Sequence, residues 1–223
     1  MNEREPIFAR IREALTVSAP KPGLLHSDGR SSPKAVEDVL PVTGKTLDEN
    51  LELFRKNAAE LRADFHLVNS AAELVAQLGK LRDAEGWKKI ATHPGELTGV
   101  ATRLLQIPVY LARRGYDVNE MEQCDAGITE CDALVAQTGS VVVTSRSTGG
   151  RALTVLPPHH VVIARREQVV ADLPEAFALV KAEYGANYPS MISFITGPSR
   201  TGDIERILVL GAHGPKKLTI FCL

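Results

Sequence analysis

Two segments of the chain combine residue types that bind small anions, and the clearer one is 196–203, Thr-Gly-Pro-Ser-Arg-Thr-Gly-Asp. It follows an apolar run and precedes a short predicted helix, where unpaired backbone amides favour an anion. The Arg200 guanidinium can form a two-pronged contact with a carboxylate or phosphate, and Asp203 would cap the helix or hold Arg200. The alternative is an ordinary strand–helix turn with Ser199 or Thr201 as its N-cap and Arg200 in solvent. The segment is not a GxxxxGK[ST] phosphate loop.

The second segment begins at Gln137 and continues through the loop 144–151, TSRSTGGR. Gly139 separates two apolar runs, and a glycine in this context marks a bulge or a place where a ligand approaches the backbone. Gln137 would offer an amide, and Thr138 and Ser140 would offer hydroxyl groups. A bulge followed by a surface hairpin turn explains the same residues, so both interpretations stay open.

Three further side chains are candidates for proton transfer or covalent chemistry. His93 and Glu96 follow a predicted strand, and ligands of open α/β sheets bind beyond the carboxyl ends of strands; a capped turn is the preferred alternative. His213, with Gly214, lies in a glycine-rich turn and could face a ligand. Glu130 could be a nucleophilic carboxylate, although the end of a surface helix or loop is the preferred interpretation.

Histidine and cysteine spacings do not predict a metal site. His159 and His160 are adjacent on a predicted strand, and such neighbours point to opposite faces, which disfavours a shared metal ion. Cys124, Cys131 and Cys222 are an odd number without CxxC spacing, unlike zinc-ribbon or iron–sulfur patterns. We expect the three thiols to be buried and reduced.

Helical and strand patterns alternate along the chain, and these elements must position the candidate residues. Apolar spacing and capping residues predict helices over 3–15, from Thr46 to Leu61, from Ser70, and from Asp172 to Tyr184. Strands are predicted at 64–68, 89–92, 108–112, 160–165, 191–196, 206–212 and 217–223. The runs 133–137 and 140–145 pair or continue one bent strand. The predicted fold class is α/β, a mostly parallel sheet flanked by helices.

A linker is predicted at residues 16–34, which are rich in proline, glycine and serine. It divides the chain into residues 1–44, a helix with its linker, and residues 45–223, the main domain. A length of 223 residues fits this organisation, since domains average about 150 residues. The first helix is then an appendage that could dock on the main domain or on another subunit.

Overall charge excludes some classes of partner. Lysine and arginine number 26 against 27 acidic residues, a net charge of −1, so a long-range basic surface for nucleic acid or anionic membrane is not expected. No uncharged stretch reaches the 18 or so apolar residues of a membrane helix, and the charged N-terminus lacks a signal-peptide core. We therefore expect a cytoplasmic protein.

Four runs resemble motifs of the LUD-domain family. They are GITECDALVAQTGSVV (127–142), LPPHHVVIA (156–164), GPSRTGDIE (197–205) and VLGAHGP (209–215). The last two, in that order near the C-terminus, are the most specific, and the resemblance covers about 45–223. The chain is identified as a member of this family, in its lactate utilization protein C group.

The resemblance carries expectations about fold, partners and site. The family's fold is similar to that of the ribose-5-phosphate isomerase, glucosamine-6-phosphate deaminase and coenzyme A transferase group. Members of the lactate group are implicated in oxidising L-lactate to pyruvate with partner proteins, one of which carries iron–sulfur clusters, so no cofactor is expected in this chain. The matching residues are Arg200, Thr201, Asp203, His213 and Gly214. Gln137 stands where the family usually has Glu, and an amide cannot act as a titrating base.

Three functions fit these residues. The first is a subunit of a lactate-oxidising system that binds a small anionic metabolite at 197–203, while the redox centres lie on partners. The second is a free-standing enzyme acting on a small phosphorylated or carboxylated metabolite, with Arg200 holding the anion and His93, Glu96 or His213 moving protons. The third is a regulatory binding module. Whether the chain is itself an enzyme stays open.

Overall fold

The computed structural model of the chain describes residues 4–16, 41–113, 115–185, 187–201 and 209–223. By its internal contacts the chain divides into residues 1–40 and residues 41–223. The predicted first helix is confirmed as α1 (Arg4–Thr16). The predicted linker 16–34 lies almost entirely outside the described residues, as do Gly202, Asp203 and the short helix expected after them.

Three helices of the main unit begin at the residues that the capping patterns predict. The Thr46 hydroxyl accepts a hydrogen bond from Glu49 N at 3.2 Å, and the Glu49 carboxylate accepts one from Thr46 N, a capping box. Ser70 and Asp172 accept in the same way from amides three residues on. The helices described in this unit are α2 (Leu47–Glu60), α3 (Ala71–Glu85), α4 (Glu96–Arg103), α5 (Val118–Glu122) and α6 (Leu173–Tyr184).

Among the described residues, six strands form a fully parallel sheet in the order β1-β12-β7-β4-β2-β3. They are β1 (Asp64–Leu67), β2 (Ile90–Thr92), β3 (Val109–Leu111), β4 (Ala126–Thr129), β7 (His159–Ala164) and β12 (Lys217–Cys222). In the register of the central strands, His160 lies between Gly127 and Leu218. The predicted α/β class, with its mostly parallel sheet, is confirmed. Strand β4 is an element that the sequence patterns did not single out.

A second sheet has the order β8-β5-β6-β9, and β6 runs antiparallel to both of its neighbours. Its strands are β5 (Ala133–Val135), β6 (Ser140–Thr144), β8 (Val169–Val170) and β9 (Ile192–Ile195). The runs 133–137 and 140–145 therefore pair rather than continue one bent strand. A short antiparallel ladder joins β10 (Arg200–Thr201) to β11 (Val209–Leu210). Arg200 and Thr201 thus have extended backbone, which corrects the predicted loop at these two residues.

The parallel sheet is covered on both faces by apolar groups. One face packs against α2 and the second sheet, through residues such as Phe54, Leu134 and Ile220. The other face packs against α3 and α4, through residues such as Leu74, Ile128 and Phe221. Strands buried on both faces need few charges, which is why charged residues are sparse between 126 and 163.

Candidate functional site

A cavity of about 250 Å³ lies beside the amino ends of β7 and β12, on the face of the parallel sheet that also meets the second sheet. Six parts of the chain line it: the loop before β7, β7 itself, β9 with the residue before it, the loop after β9, the turn before β12, and β12 itself. The lining residues are Thr154, Val155, His160, Met191, Ser193, Ile195, Thr196, Gly197, Pro198, Ser199, His213, Gly214, Pro215 and Leu218. Of the predicted site residues, Ser199, His213 and Gly214 meet here.

The cavity has a buried floor and an exposed mouth. His160 and Leu218 are 1% and 2% exposed and form the floor. Thr196, His213 and Val155 are exposed and form the mouth. Polar side chains therefore stand at the mouth and, through His160 and the buried Thr154, in the interior, among lining residues that are otherwise mostly apolar.

Gly127 makes room for the loop that precedes β7. A Cβ atom on this β4 residue would lie 2.5 Å from Leu153 O and 3.0 Å from Pro157 Cγ. A larger residue would push this loop off the sheet. Because Thr154 and Val155 in this loop line the cavity, the close approach at Gly127 helps to fix the shape of the cavity wall.

His160 is held in a neutral form. Its Nε2 atom is 2.8 Å from the Thr129 hydroxyl, while Nδ1 is shielded and has no hydrogen-bond partner among the described residues. Burial, with a smaller contribution from His159, lowers the pKa of His160 to about 3. The ring is therefore uncharged near neutral pH.

Backbone hydrogen bonds hold the two loops at the mouth together. Ser199 N donates to Pro215 O and Gly211 N donates to Ser199 O, both at 2.9 Å. Gly197 has φ +80°, and a Cβ there would lie 2.8 Å from Leu61 O, so only glycine fits without strain. The same Cβ position lies 3.5 Å from an Arg200 guanidinium nitrogen. Arg200 is exposed and stands next to the lining without being part of it.

Hydroxyl groups connect the second predicted segment to the mouth. Thr138 Oγ1 donates to Ser140 Oγ at 2.8 Å, and Ser140 Oγ lies 2.8 Å from Thr196 Oγ1. Thr196 lines the cavity, whereas Thr138 does not. Thr138 is therefore connected to the cavity through the hydroxyls of Ser140 and Thr196 and does not contact it directly.

Gln137 and Gly139 face α2 instead of the cavity. Gln137 Nε2 donates to Pro41 O at 2.9 Å, and the Asn57 side-chain amide donates to the backbone oxygens of Ala136 and Gln137. Gly139, with φ +63°, sits against the backbone of Asn57 and Ala58. These contacts favour the bulge interpretation of this segment.

His93 and Glu96 do not form an acid–base pair. His93 Nδ1 is 3.1 Å from Pro94 O, and Nε2 accepts a hydrogen bond from Glu130 N at 3.1 Å. Burial lowers the pKa of His93, against the effects of the Pro94 carbonyl and the Glu130 charge. Glu96 is exposed and pairs with Arg165 at 2.8 Å. Both ring nitrogens of His93 are thus occupied within the protein.

Glu130 caps helix α4. Gly95, the N-cap residue, has no side chain to offer, and Glu130 Oε1 accepts from Leu97 N at 2.8 Å and from Thr98 N at 3.2 Å. A carboxylate at a helix N-terminus is favoured by the exposed amides and the helix dipole. Glu130 directly follows β4 and its carboxylate serves as this cap, which favours the structural alternative over a nucleophilic role.

The glycine-rich loop 144–151 is anchored by a polar cluster of its own. Asp132 accepts hydrogen bonds from Tyr184 Oη and, at 2.5 Å, from Ser147 Oγ. Burial, together with the hydrogen bond to Asp132, raises the pKa of Tyr184 to about 12. Gly149 packs against His93. This loop therefore covers the carboxyl end of β2, away from the cavity.

The two adjacent histidines point to opposite faces, as predicted. His159 contacts the Trp87 ring edge to face, with centroids 5.3 Å apart, while His160 lines the cavity.

Within the described ranges no group of three or more potential metal ligands is found, and no described helix is long and apolar enough to cross a membrane. Cys124, Cys131 and Cys222 are all buried, and burial raises the pKa of each thiol.

The sequence patterns missed several lining residues, notably His160, Met191 and Leu218. The run 157–160, Pro-Pro-His-His, predicts the start of a strand. It does not predict which histidine faces the cavity, because that depends on the elements that cover each face of the sheet. Conversely, Thr201 and Arg200 lie outside the lining, and Asp203 is outside the described residues.

Comparisons with known proteins agree with this fold. Residues 51–223 match the model of the LUD domain. Lactate utilization protein C of Shouchella clausii is 30% identical over 87% of this chain and 86% of its own length. The protein of the same name from Anoxybacillus flavithermus is 31% identical over 79% of this chain and 81% of its own length. The Geobacillus kaustophilus protein of the same name is 41% identical, over only 43% of its length. A DUF162 family protein from Deinococcus radiodurans has a similar structure, with a TM-score of 0.62 at 21% identity over 82% of this chain and 99% of that one. The chain belongs to the LUD-domain family.

Proposed function

We propose that the chain takes part in lactate utilization by binding a small 2-hydroxy or 2-oxo carboxylate in the cavity between β7, β9 and β12. The single observation that carries this proposal is the meeting of Ser199, His213 and Gly214 at the mouth of a cavity whose interior lining is mostly apolar. The names of the relatives, lactate utilization protein C, supply the class of metabolite.

The mouth offers groups suited to a carboxylate. The Ser199 hydroxyl makes no hydrogen bond to any described residue and is free to donate. His213 offers a ring N–H, and Arg200 stands beside Gly197 with its guanidinium near the entrance. A charge-assisted hydrogen bond contributes about 1.5–3 kcal/mol. A few such contacts give affinity in the millimolar range, which suits an abundant metabolite.

The electrons of lactate oxidation would leave through other proteins. Conversion of a 2-hydroxy acid to a 2-oxo acid requires an acceptor for electrons and protons. The buried thiols of this chain are held in the neutral form, and the His93 nitrogens are occupied. We therefore assign the chain a binding role next to partner subunits that carry iron–sulfur clusters.

Titration calorimetry and thermal unfolding with lactate, pyruvate, inorganic phosphate and sugar phosphates test the proposal. At about 100 times its dissociation constant a ligand stabilises the fold by about 2.7 kcal/mol, a shift of several degrees. Arg200→Ala should weaken carboxylate binding about 10- to 100-fold. Arg103→Ala, at an exposed arginine on α4, is the matched control and should bind as wild type.

Two outcomes would contradict the proposal. The first is an Arg200→Ala protein that binds every carboxylate as tightly as wild type. The second is turnover of a metabolite by the purified chain without partners, which would favour the free-standing enzyme. Phosphate esters binding more tightly than carboxylates would point to the same alternative.

A further inference from the structure

We propose that the cavity prefers 2-hydroxy and 2-oxo acids whose apolar side chain is longer than the methyl group of lactate. This inference rests on the proposed function, because it takes the carboxylate to sit at the mouth. It goes further by naming the part of the ligand that the floor recognises.

The interior surface is mostly apolar. Beyond the mouth, the apolar walls come from β9, the residue before it, β12 and two prolines of the adjoining loops. These residues are Met191, Ile195, Pro198, Pro215 and Leu218, and Thr154 and Ser193 add two uncharged hydroxyls. Such a surface gains from contact with hydrocarbon, and the lining contains no lysine or arginine to pair with a second carboxylate.

His160 adds to this apolar floor instead of interrupting it. Its Nε2 atom is engaged by Thr129, and its Nδ1 atom is shielded from solvent. Because Nε2 is bonded and Nδ1, although without a partner among the described residues, is shielded, the small surface that the ring exposes is carbon. Burial also keeps it uncharged, with a pKa of about 3, so it does not attract a second carboxylate.

The cavity volume exceeds the volume that a bound lactate would occupy. An apolar cavity of about 150 Å³ holds benzene, which has six heavy atoms, as many as lactate. This cavity measures about 250 Å³. On that scale, lactate would leave room for roughly four more heavy atoms. A bound lactate would therefore leave apolar surface uncovered, while a side chain of three to five carbons would cover it.

A chain-length series measures this preference directly. Titration calorimetry would compare lactate with 2-hydroxybutyrate, 2-hydroxypentanoate, 2-hydroxyhexanoate and longer straight-chain homologues. Each methylene that reaches the floor should tighten binding about fourfold, until the cavity is full and the affinity stops rising. Malate, which carries a second carboxylate, should bind more weakly than lactate.

Ser193→Leu is the variant that fills the cavity, because Ser193 is a half-buried lining residue on β9. It should lose the gain from longer acids, so that affinity no longer rises along the series. Ser190→Leu, at an exposed serine outside the lining, is the matched control and should keep the wild-type series. Should Ser193→Leu fail to fold, the wild-type series still decides.

The outcomes separate this inference from the function on which it rests. Lactate binding with an affinity that is flat or falling along the series overturns the chain-length preference alone. Malate binding tighter than 2-hydroxybutyrate overturns it as well. Absence of binding by any of these acids removes the proposed function and this inference together.

Discussion

The two ends of the parallel sheet use similar residue types in opposite ways. At the carboxyl end, His93, Glu130 and Thr98 bond to one another and to the first turn of α4. At the amino end, His160 and Ser199 line a cavity, and neither His160 Nδ1 nor the Ser199 hydroxyl bonds to any described residue. Ligands of open α/β sheets bind beyond the carboxyl ends of strands, and here that end is filled by internal hydrogen bonds.

What differs is the element that covers each end. The loop containing Gly149 packs against His93 at the carboxyl end. At the amino end the second sheet stands beside the parallel one, and the space between β9 and β12 is not filled by side chains. A sheet end becomes a candidate site when neighbouring elements leave space over polar groups. The direction of the strands alone does not decide which end of the sheet holds a site.

The largest expected effect is on the pH dependence of stability at His160. The unfolded chain binds a proton at a histidine below about pH 6.5, whereas the folded protein resists protonation there because its pKa is about 3. The free energy of unfolding should therefore fall steadily as the pH drops below 6.5, by about 3 kcal/mol at pH 4.5. His160→Gln should remove this contribution, as measured by urea unfolding across that range.

The same substitution at the other end sharpens the comparison. The pKa of His93 is lowered by burial, but the Pro94 carbonyl and the Glu130 charge act in the opposite direction. His93→Gln should therefore flatten the pH dependence over a narrower range than His160→Gln. Equal flattening by both variants would contradict the distinction drawn between the two ends.

Glu130→Ala should cost about 2 kcal/mol of stability. The change removes the acceptor for two amides at the start of α4, Leu97 N and Thr98 N, and leaves His93 without its neighbouring charge. Glu130→Gln keeps an acceptor oxygen and loses only the charge, so it should cost about 0.5–1 kcal/mol. Equal losses in the two variants, measured by urea unfolding, would mean that the charge and not the cap matters.

Local sequence signals predict α2, α3 and α6 because the causes of these helix starts are local. Thr46 with Glu49, and Ser70 with Glu73, satisfy amides within the same turn, and the structure has these bonds. Helix α4 has a glycine N-cap and is capped by Glu130 from a distant segment, so the local patterns do not predict it. Strands buried on both faces lack the alternation that marks an exposed face. For this reason the sequence patterns do not predict β4 and do not decide how β5 and β6 pair.

The candidate site was harder to predict because its parts come from distant segments. The loop containing Ser199 was identified as anion-binding, and it does line the cavity. His160 and Leu218 contribute only because of the register between β7 and β12. Gln137 departs from the family pattern, yet it bonds to Pro41 and Ala171 and not to the cavity. Spacing within one segment carries no information on such long-range contacts.

Gly95→Ala should destabilise the carboxyl end by about 1–2 kcal/mol. A Cβ there would overlap Glu130 Oε1 and lie 2.6 Å from Thr98 Oγ1, so the cap must move away from α4. Gly99→Ala on the same helix meets nothing within 4 Å and should raise stability by about 0.5–1 kcal/mol. Thermal unfolding of the two variants would show opposite shifts in Tm, and a stabilising Gly95→Ala would contradict the close approach of Glu130.

The smallest expected change in stability is at Ser199. Because its hydroxyl makes no hydrogen bond to any described residue, Ser199→Ala should alter the free energy of unfolding by less than about 0.5 kcal/mol. Thr98→Val removes a buried hydroxyl that donates to His93 O at 3.0 Å, and should cost about 1–2 kcal/mol.

Binding should respond in the reverse order. Ser199→Ala should weaken carboxylate binding several-fold, because the hydroxyl is free to donate to a ligand, while Thr98→Val should leave binding unchanged. Urea unfolding and titration calorimetry on the same two proteins provide both measurements. If Ser199→Ala lost stability and kept its affinity, its hydroxyl would be structural, and the amino-end cavity would be no more open to ligands than the carboxyl end.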